Sequence, residues 1–376
     1  MINFLREKIK PKYESLNNVY IIKKNIIFNY GLLKQQQPDA EIFPVLKSNA
    51  YGHGLKEMCQ ILNDTDAPML AIDSFPEAQI VYKNSNKKVL IIGEMALGSY
   101  KHCNLKRTEF CVYNKKTLKL LGELKKKVKI HVFVNTGMNR EGVKDLRDFL
   151  KEIKKYKNIE IVGLCSHLAS AENNPDFNKE QEGKFIKQLK ILNKEGINPK
   201  WVHLGNSAGV YSLKNPKLTA FRVGIALYGY NILPEKHQKF QEANQLKPAL
   251  RVTSKITCVQ ELKPGDKVSY NETFEASEDL NIATIPFGYY EGLDRRFSSK
   301  AELMIGNYTV KIAGRICMNI TCLDCDSIEP QIGDKVTVIS EKITDPNSVQ
   351  NLANIINIIP YEILTSLREN IRRQII

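Results

Sequence analysis

Several features that would mark a special class of protein are missing from this sequence of 376 residues. No apolar run approaches the roughly 20 residues needed to span a bilayer, and the charged segment Met1–Lys12 lacks the apolar core of a signal peptide. Eight cysteines are too few for a disulfide scaffold in a chain of this length. These absences predict a cytoplasmic protein that does not contact a membrane.

The charge is unusual, but the rest of the composition is ordinary. The chain carries 55 Lys and Arg against 41 Asp and Glu, a net charge of +14, and 43% of its residues are hydrophobic. Nucleic-acid binding is one interpretation of such a charge. We favour a solvated, lysine-rich surface, because basic and acidic residues are interspersed and no DNA- or RNA-binding motif accompanies them.

Short β-rich runs alternate with longer polar stretches between about residues 41 and 230. There are eight such runs: Ile42–Lys47, Met69–Asp73, Val89–Gly93, Phe110–Tyr113, Ile130–Asn135, Ile159–His167, Trp201–Gly205 and Ala220–Tyr228. Segments such as Lys116–Lys126 and Phe185–Leu192 have helical apolar spacing. Repeated strand–helix alternation predicts an α/β fold, a parallel (β/α)8 TIM barrel, which we place in residues 1–245.

The pattern changes after about residue 246. Strand-like runs now follow one another between turn signals, and the clearest are Leu250–Val259, Lys267–Tyr270, Ile282–Phe287, Tyr308–Ile312 and Lys335–Ile339. Ser348–Ile356 is a candidate amphipathic helix. We therefore predict a mostly β C-terminal domain over residues 246–376.

Lys47 ends the first predicted barrel strand, within the segment Val45–Gly54. In this type of barrel the active site lies at the C-terminal ends of the strands. A lysine that is desolvated there is suited to a covalent bond with a carbonyl group. A lysine whose side chain simply reaches solvent from the strand end would fit the position equally well, so the surrounding motif has to decide.

The segment Val45–Gly54, VLKSNAYGHG, closely resembles the cofactor-attachment motif of alanine racemases. Further matches follow in the order of that family: Thr136–Arg140, Ser166–Ala169, His203–Ala208, Arg222–Gly229, Val268–Tyr270, Gly314–Met318 and Pro360–Glu362. The resemblance extends from about Asn17 to the C-terminus. It implies pyridoxal 5'-phosphate held covalently on Lys47, an amino-acid substrate, and a homodimer with shared active sites. It also implies that the product, D-alanine, supplies peptidoglycan.

The resemblance also implies how the central residues divide the chemistry. Lys47 and Tyr270 would exchange protons at opposite faces of the substrate, with Tyr270 reaching the site from the partner subunit and His167 contacting it. Arg222 would face the pyridine nitrogen of the cofactor, with His203 holding the guanidinium. Because arginine keeps its proton, the ring would be a restrained electron sink, which suits a racemase.

The remaining residues implied by the resemblance bind the cofactor phosphate, bind the substrate carboxylate or line the entrance. The cofactor-binding positions are Tyr51, Asn206, Ser207, Gly224, Ile225 and Tyr361. Arg140 and Met318 match the carboxylate-binding positions, and Tyr289 matches an entrance tyrosine. An entrance narrowed by Tyr289 and Tyr361 would favour a side chain of methyl size. The segment Asn206–Ala208 is also expected to cap a helix.

Some positions depart from the family pattern. Phe133 stands seven residues before the motif arginine, where many members carry a lysine that is sometimes carbamylated. Phenylalanine cannot hydrogen-bond a guanidinium, so Arg140 needs another support, and our hypothesis is a bound anion or water. The other departures are Asn135, Asn271, Asn319 and the pair Tyr290-Glu291. Asn271 is a residue type that tolerates positive φ. These positions concern specificity and rate more than the class of reaction.

Other functions remain open on the sequence. A serine or broad-specificity racemase on the same scaffold would differ by only a few side chains at the entrance. A non-catalytic pyridoxal-phosphate carrier is a single barrel, so the β domain, Tyr270 and Met318 argue against it. A decarboxylase of this fold type would need motifs that we do not find. Cys322 and Cys325 have Cys-x-x-Cys spacing but no further ligands in sequence, so we expect no metal site.

Overall fold

The computed structural model describes residues 14–376, which form two compact units. The barrel unit contains Ile21–Ala249 and Ile375–Ile376, and the sheet unit contains residues 14–20 and Leu250–Gln374. The units differ from the predicted division, 1–245 and 246–376, mainly at the N-terminus, because strand β1 (Asn18–Ile21) pairs within the sheet unit. The charged segment Met1–Lys12 lies outside the described residues.

Parallel strands form the frame of the barrel unit. In chain order they are β2 (Glu41–Pro44), β3 (Met69–Ile72), β4 (Lys88–Ile91), β5 (Thr108–Val112), β6 (Val128–Phe133), β7 (Ile159–Cys165), β8 (Trp201–His203) and β9 (Ala220–Val223). Strands β3 to β8 form one sheet in sequence order, and β2 pairs with β9. Backbone hydrogen bonds from Leu46 N to Ala71 O and from Thr219 N to Val202 O join these two groups. The ring of strands therefore closes, and the predicted barrel is confirmed.

The barrel interior is filled by side chains from alternate positions of the strands. Its apolar members are Phe43, Val45, Met69, Ala71, Leu90, Cys111, Phe133, Cys165, Trp201 and Ala220. Residues two apart on a strand point to the same face. Glu109, His131, His203 and Arg222 each lie two residues from one of these apolar members, so four polar side chains share the interior with them.

Helices alternate with the strands of the barrel unit. Their bounds are Lys23–Gln36, Leu55–Leu62, Phe75–Asn84, Leu97–Tyr100, Lys115–Gly122, Leu146–Ile153, Pro175–Lys194, Gly209–Ser212 and Phe240–Ala243. Asn174 caps the longest of them by accepting a hydrogen bond from Phe177 N at 3.0 Å, and Pro175 starts it. Among the described residues, no helix is long and apolar enough to cross a membrane.

The sheet unit is mostly β, as predicted. Its further strands are β10 (Leu250–Lys255), β11 (Cys258–Leu262), β12 (Lys267–Val268), β13 (Phe274–Glu275), β14 (Leu280–Ile285), β15 (Glu302–Ile305), β16 (Tyr308–Ala313), β17 (Thr321–Asp324), β18 (Lys335–Ile339) and β19 (Arg372–Ile375). Nine strands form one sheet in the order β11-β14-β17-β16-β15-β18-β10-β1-β19, and β12 pairs with β13. Short 3-10 turns lie at Tyr270–Glu272 and Arg295–Phe297, and helices at Val349–Ile355 and Pro360–Thr365. The predicted run Leu250–Val259 is two strands, because the chain breaks between them at Ile256.

Gly163 on β7 tests the packing of the barrel interior. A Cβ at this position would overlap the imidazole ring of His131. We expect Gly163→Ala to lower the free energy of unfolding by roughly 1–3 kcal/mol, as overpacking of a filled core does. The control is Gly183→Ala in the helix Pro175–Lys194, where a Cβ has open space and alanine should stabilise by up to about 1 kcal/mol. Urea unfolding measures the free energy of unfolding of both variants. A Gly163→Ala variant as stable as Gly183→Ala would contradict the described packing.

Candidate active site

Lys47 follows β2 and begins a short left-handed turn, Lys47–Tyr51. Four consecutive non-glycine residues, Ser48 to Tyr51, have φ values between 52° and 56°. This conformation costs roughly 1–2 kcal/mol per residue, so surrounding contacts must hold it. One of them is the hydrogen bond from Ser48 N to Glu77 Oε1, at 2.7 Å. Backbone strain of this kind concentrates at functional sites.

The Lys47 side chain is partly exposed. It is 39% exposed, and its Nζ lies 3.8 Å from Asp73 Oδ1. Of the two interpretations that the sequence left open, a desolvated lysine and one that reaches solvent, the exposure agrees with the second, because Lys47 lies beyond the end of β2 and not inside the apolar strand. Any special reactivity of its amine must therefore come from groups that bind beside it.

Arg222, near the end of β9, is a buried cation held by neutral acceptors. One nitrogen, Nη1, donates to the carbonyl oxygen of His203 at 2.9 Å and to its Nδ1 at 2.5 Å. The other, Nη2, donates to Ser166 O at 2.5 Å and to His167 Nδ1 at 3.2 Å. Both imidazoles accept with Nδ1, since a guanidinium has no acceptor of its own.

The histidines beside Arg222 are held in their neutral form. Burial, followed by the positive charges of Arg222, Arg140 and Lys47, lowers the pKa of His167 to about 3. Burial also lowers the pKa of His203 well below its ordinary value, with Arg222 as the next cause. Neutral imidazoles at this place can orient the guanidinium without repelling it.

Ser207, Gly224 and Tyr51 form a small polar cradle at the end of β9. The Ser207 hydroxyl oxygen accepts hydrogen bonds from Gly224 N and Ala226 N, each at 3.2 Å. A Cβ at position 224 would overlap the Tyr51 hydroxyl, so only glycine lets that hydroxyl approach. Burial, and then Asp73, raises the pKa of Tyr51 to about 12, so the hydroxyl keeps its proton. Because the Ser207 oxygen accepts both backbone bonds, its hydroxyl proton is left to donate, and hydroxyl donors clustered in this way suit an anion such as phosphate.

Asn206 caps the short helix that follows it, as predicted for the segment Asn206–Ala208. Its Oδ1 accepts from Gly209 N at 3.0 Å. Ala208, the residue immediately before the helix Gly209–Ser212, makes no side-chain cap bond. The capping bond therefore comes from Asn206, which holds the chain on either side of Ser207. Ile225 lies buried between the two backbone donors to Ser207.

Arg140 is supported by its neighbour in sequence. Its Nε and Nη2 donate to Glu141 Oε1 at 3.2 and 2.8 Å. Phe133 instead packs into the barrel interior, with its ring centroid 6.0 Å from that of Tyr113. A carboxylate thus supports Arg140 where Phe133 stands in place of the family lysine, and our hypothesis of a bound anion or water stays a prediction. Sequence reasoning missed Glu141, although an acidic residue directly after the motif arginine is a visible signal.

Tyr113 and Asn135 shape the surroundings of Arg140. Burial, and then Glu141, raises the pKa of Tyr113 to about 12, so the phenol stays protonated beside the carboxylate. Asn135 accepts from Gly137 N at 2.9 Å, and its amide nitrogen donates to Asn139 Oδ1 at 3.1 Å. An aspartate, the usual family residue at position 135, could not make that second bond.

Tyr270 lies at the tip of the β12–β13 hairpin in the sheet unit and is 65% exposed. Ser269, next to it, has a φ of 66°, and its hydroxyl donates to Arg315 O at 2.6 Å. Asn271 has a φ of 61°, the positive value for which asparagine is suited. A strained and anchored turn thus presents the tyrosine to its surroundings.

The loop of Tyr289 is joined to the loop of Met318 by backbone hydrogen bonds. Tyr289 N donates to Cys317 O at 3.1 Å, and Tyr290 N donates to Met318 O at 2.8 Å. Two of the departures from the family pattern also meet here, because Asn319 Nδ2 donates to Glu291 Oε1 at 2.8 Å. An aspartate at position 319 would repel Glu291, so these two substitutions compensate each other.

The remaining residues singled out in the sequence are Tyr361, Cys322 and Cys325, all in the sheet unit. Tyr361 lies in the helix Pro360–Thr365. Cys322 is half-buried in β17, and Cys325 is buried directly after that strand. Within residues 14–376 no group of three or more His, Cys, Asp or Glu side chains is arranged to hold a metal ion.

The fold and the site together define a class. A parallel barrel with a lysine beyond its first strand, a buried arginine on its last strand and a β-rich second unit is the architecture of fold-type III pyridoxal-phosphate enzymes. Two family descriptions match this chain: "Alanine racemase, N-terminal domain" at residues 21–232 and "Alanine racemase, C-terminal domain" at residues 249–375.

Known relatives agree with these matches. The alanine racemase of Borreliella burgdorferi (strain ZS7) is 30% identical over 370 residues, covering 96% of this chain and 97% of its own. Alanine racemase 2 of Caldanaerobacter subterraneus subsp. tengcongensis is 31% identical over 360 residues, covering 93% and 92%.

Solved structures agree as well. The alanine racemase of Bacillus anthracis with bound L-Ala-P superposes with a TM-score of 0.87 at 27% identity, covering 97% of this chain and 96% of that one. That of Clostridium difficile 630 gives 0.89 at 25%, covering 97% of each chain. This chain belongs to the alanine racemase family, a family of pyridoxal-phosphate-dependent isomerases.

Proposed function

We propose that this protein interconverts L-alanine and D-alanine, with pyridoxal 5'-phosphate bound covalently to Lys47 and with Tyr270 as the second base. The observation that carries the proposal is the buried Arg222 guanidinium, whose hydrogen bonds from Nη1 and Nη2 go to carbonyl oxygens and neutral imidazoles. A cation held so firmly, with no carboxylate among these partners, is suited to face an electron-rich ring nitrogen.

The residues of the barrel unit fit the cofactor. When bound, pyridoxal phosphate withdraws electrons from the substrate Cα and so makes its proton acidic. The cradle of Ser207, Gly224 and Tyr51, with Asn206 and Ile225, would hold the phosphate, and Tyr361 of the sheet unit would add a hydroxyl. Arg222 would keep its own proton, which restrains that electron withdrawal and favours return of the proton to Cα.

Racemisation needs a proton removed at one face of Cα and delivered at the other. Lys47 Nζ would serve one face and the Tyr270 hydroxyl the other. His167 stays neutral beside Arg222 and would contact the tyrosine, linking the cation to the phenol. His203, on the other side of the guanidinium, fixes its direction.

The substrate would be held by its carboxylate. The Glu141 carboxylate accepts from Nε and Nη2 of the Arg140 guanidinium, and Nη1 makes no hydrogen bond to it. Nη1 would therefore bind the substrate carboxylate together with Met318. Tyr289 and Tyr361 would narrow the entrance to favour the methyl group of alanine. We infer that the D-alanine formed in the cytoplasm supplies peptidoglycan.

A homodimer is part of the proposal. Tyr270, Tyr289, Met318 and Ile320 are all large apolar side chains with more than 40% of their surface exposed. They lie on three loops. The Ser269–Arg315 hydrogen bond joins the loop of Tyr270 to that of Met318 and Ile320, and backbone hydrogen bonds join the latter to the loop of Tyr289. Exposed apolar surface of this kind marks an interface. We infer that a second copy covers it, so that Tyr270 completes the site of the partner subunit.

Lys47→Ala should abolish both covalent cofactor attachment and racemisation, because no other group would carry the cofactor. Visible absorption, and peptide mass spectrometry after borohydride fixation, measure the attachment, and D-alanine formation measures the activity. Lys56→Ala, an exposed lysine in the next helix, is the control and should change neither. A retained absorption band in Lys47→Ala would refute the cofactor assignment.

L-Serine is assayed beside L-alanine with the wild-type enzyme, and comparable rates of racemisation would favour the broad-specificity alternative.

Tyr270→Phe should lower kcat by about 10²- to 10⁴-fold while leaving the absorption band, because it removes only a proton-transfer group. Tyr308→Phe, another exposed tyrosine of the sheet unit, should be silent. Co-expression of Lys47→Ala and Tyr270→Phe chains should restore activity, since one site of each mixed dimer would be intact. If no activity returns on mixing, the sites are not shared between subunits.

Glu141→Gln should raise the KM for alanine by about 2- to 5-fold with little change in kcat, as expected for loss of an exposed ion pair that orients Arg140. The matched control is Glu195→Gln, which removes a surface ion pair with Lys154 far along the chain. Steady-state kinetics with both enantiomers measure the effect. A KM as low as that of the control would mean that Glu141 does not support substrate binding.

A further inference from the structure

A continuous hydrogen-bonded chain of buried side chains runs through the barrel interior. Arg222 Nη1 lies 2.5 Å from His203 Nδ1, His203 Nε2 lies 2.7 Å from His131 Nδ1, and His131 Nε2 lies 2.9 Å from Glu109 Oε2. All four residues are buried. Beyond them, the half-exposed Lys88 approaches Glu109 Oε1 at 3.3 Å. Glu109 and His131 have no part in the mechanism described above.

The direction of every hydrogen bond in this chain follows from its first member. Arginine can only donate, so His203 Nδ1 must accept and its proton must lie on Nε2. That proton is donated to His131 Nδ1, which places the His131 proton on Nε2. The proton on His131 Nε2 is then donated to Glu109, whose carboxylate only accepts. Both histidines are thus required in the same tautomer.

The charges at the two ends of the chain balance. The hydrogen-bond partners of the Arg222 Nη atoms include no carboxylate, so the nearest negative charge along this series of hydrogen bonds is Glu109, two imidazoles away. Burial raises the pKa of Glu109, but His131 and Lys88 outweigh it, so the pKa is lowered and the carboxylate is ionised. Burial lowers the pKa of His131 despite the opposing effect of Glu109. A cation and an anion are therefore bridged by two neutral rings.

The barrel is built around this chain. Strands β5, β6, β8 and β9 each supply one member. Gly163 on β7 leaves the space that the His131 ring fills, since a Cβ there would overlap the imidazole. Buried polar groups are costly unless each is satisfied, and here each ring nitrogen and the carboxylate have a partner.

From this geometry we propose that Glu109 and His131 are positioning residues for Arg222. The Glu109 carboxylate locks both histidines in the tautomer that accepts from the guanidinium, and it supplies the counter-charge that keeps Arg222 aimed at the cofactor ring. The role in catalysis rests on the proposed function, whereas the lock itself is a property of the folded barrel.

Glu109→Gln tests the lock, because a glutamine amide is uncharged and can either accept or donate. In the holoenzyme, 15N NMR of histidine-labelled protein should find His131 and His203 protonated only on Nε2, with assignments from His131→Asn and His203→Asn. In Glu109→Gln we expect a mixture of His131 tautomers. We also expect kcat to fall about 10-fold, as when a residue that orients a group in contact with the cofactor is lost. The KM should change by less than about 2-fold.

Two controls separate this role from simple destabilisation. Ile130→Val removes one buried methylene on the opposite face of β6 and should lower stability without changing the histidine signals. Lys88→Met removes only the half-exposed ammonium group beside Glu109 and should leave the tautomers of His131 and His203 unchanged.

Two results would overturn the inference: Nδ1 protonation of either histidine in the wild type, or unchanged tautomers and kcat in Glu109→Gln. The NMR measurement does not depend on racemase activity. A wild-type protein without activity but with both Nε2 tautomers would therefore refute the proposed function and leave the lock standing.

Discussion

The constraint on which the structure of the barrel depends is the burial of one positive charge, Arg222. Moving a cation out of water costs several kcal/mol unless hydrogen bonds and an opposite charge compensate. Carbonyl oxygens and imidazoles at the end of β8 and just after β7 provide the hydrogen bonds. The distant carboxylate of Glu109 provides the opposite charge. This requirement explains why four polar residues occupy an interior otherwise filled by apolar side chains.

Departures from the family pattern are compensated locally in this chain. The carboxylate of Glu141 takes up the guanidinium of Arg140 where Phe133 leaves it without a lysine. Asn319 and Glu291, which each depart from the family pattern, bond to each other. Because each compensation lies within a few ångströms of the change, the surrounding backbone and the buried Arg222 need not move. The class of reaction can therefore stay the same while the carboxylate-binding group and the entrance loop diverge.

The two proposed bases stand on strained backbone turns, one in each unit. Lys47 stands on a strained left-handed turn that follows a barrel strand, and Tyr270 stands on a hairpin tip with positive φ values on both sides of it. Such conformations persist only when neighbouring contacts hold them, as Glu77 does for the first and Arg315 for the second. Each proposed base is thus carried by a backbone that has little freedom to relax, which suits two groups that must meet one carbon atom from opposite sides.

The sequence by itself determined the barrel, the mostly β second unit and the place of Lys47. Parallel strands covered on both faces are apolar runs that stand out between polar helices. It did not reveal short strands such as β13 and β15, because two to four residues carry too little pattern. Only the tertiary structure determined the series of hydrogen bonds from Arg222 to Glu109, since His131 and His203 lie 72 positions apart in sequence. Periodicity shows which side chains face inward, but only the closing of the barrel brings those from different strands within hydrogen-bonding distance.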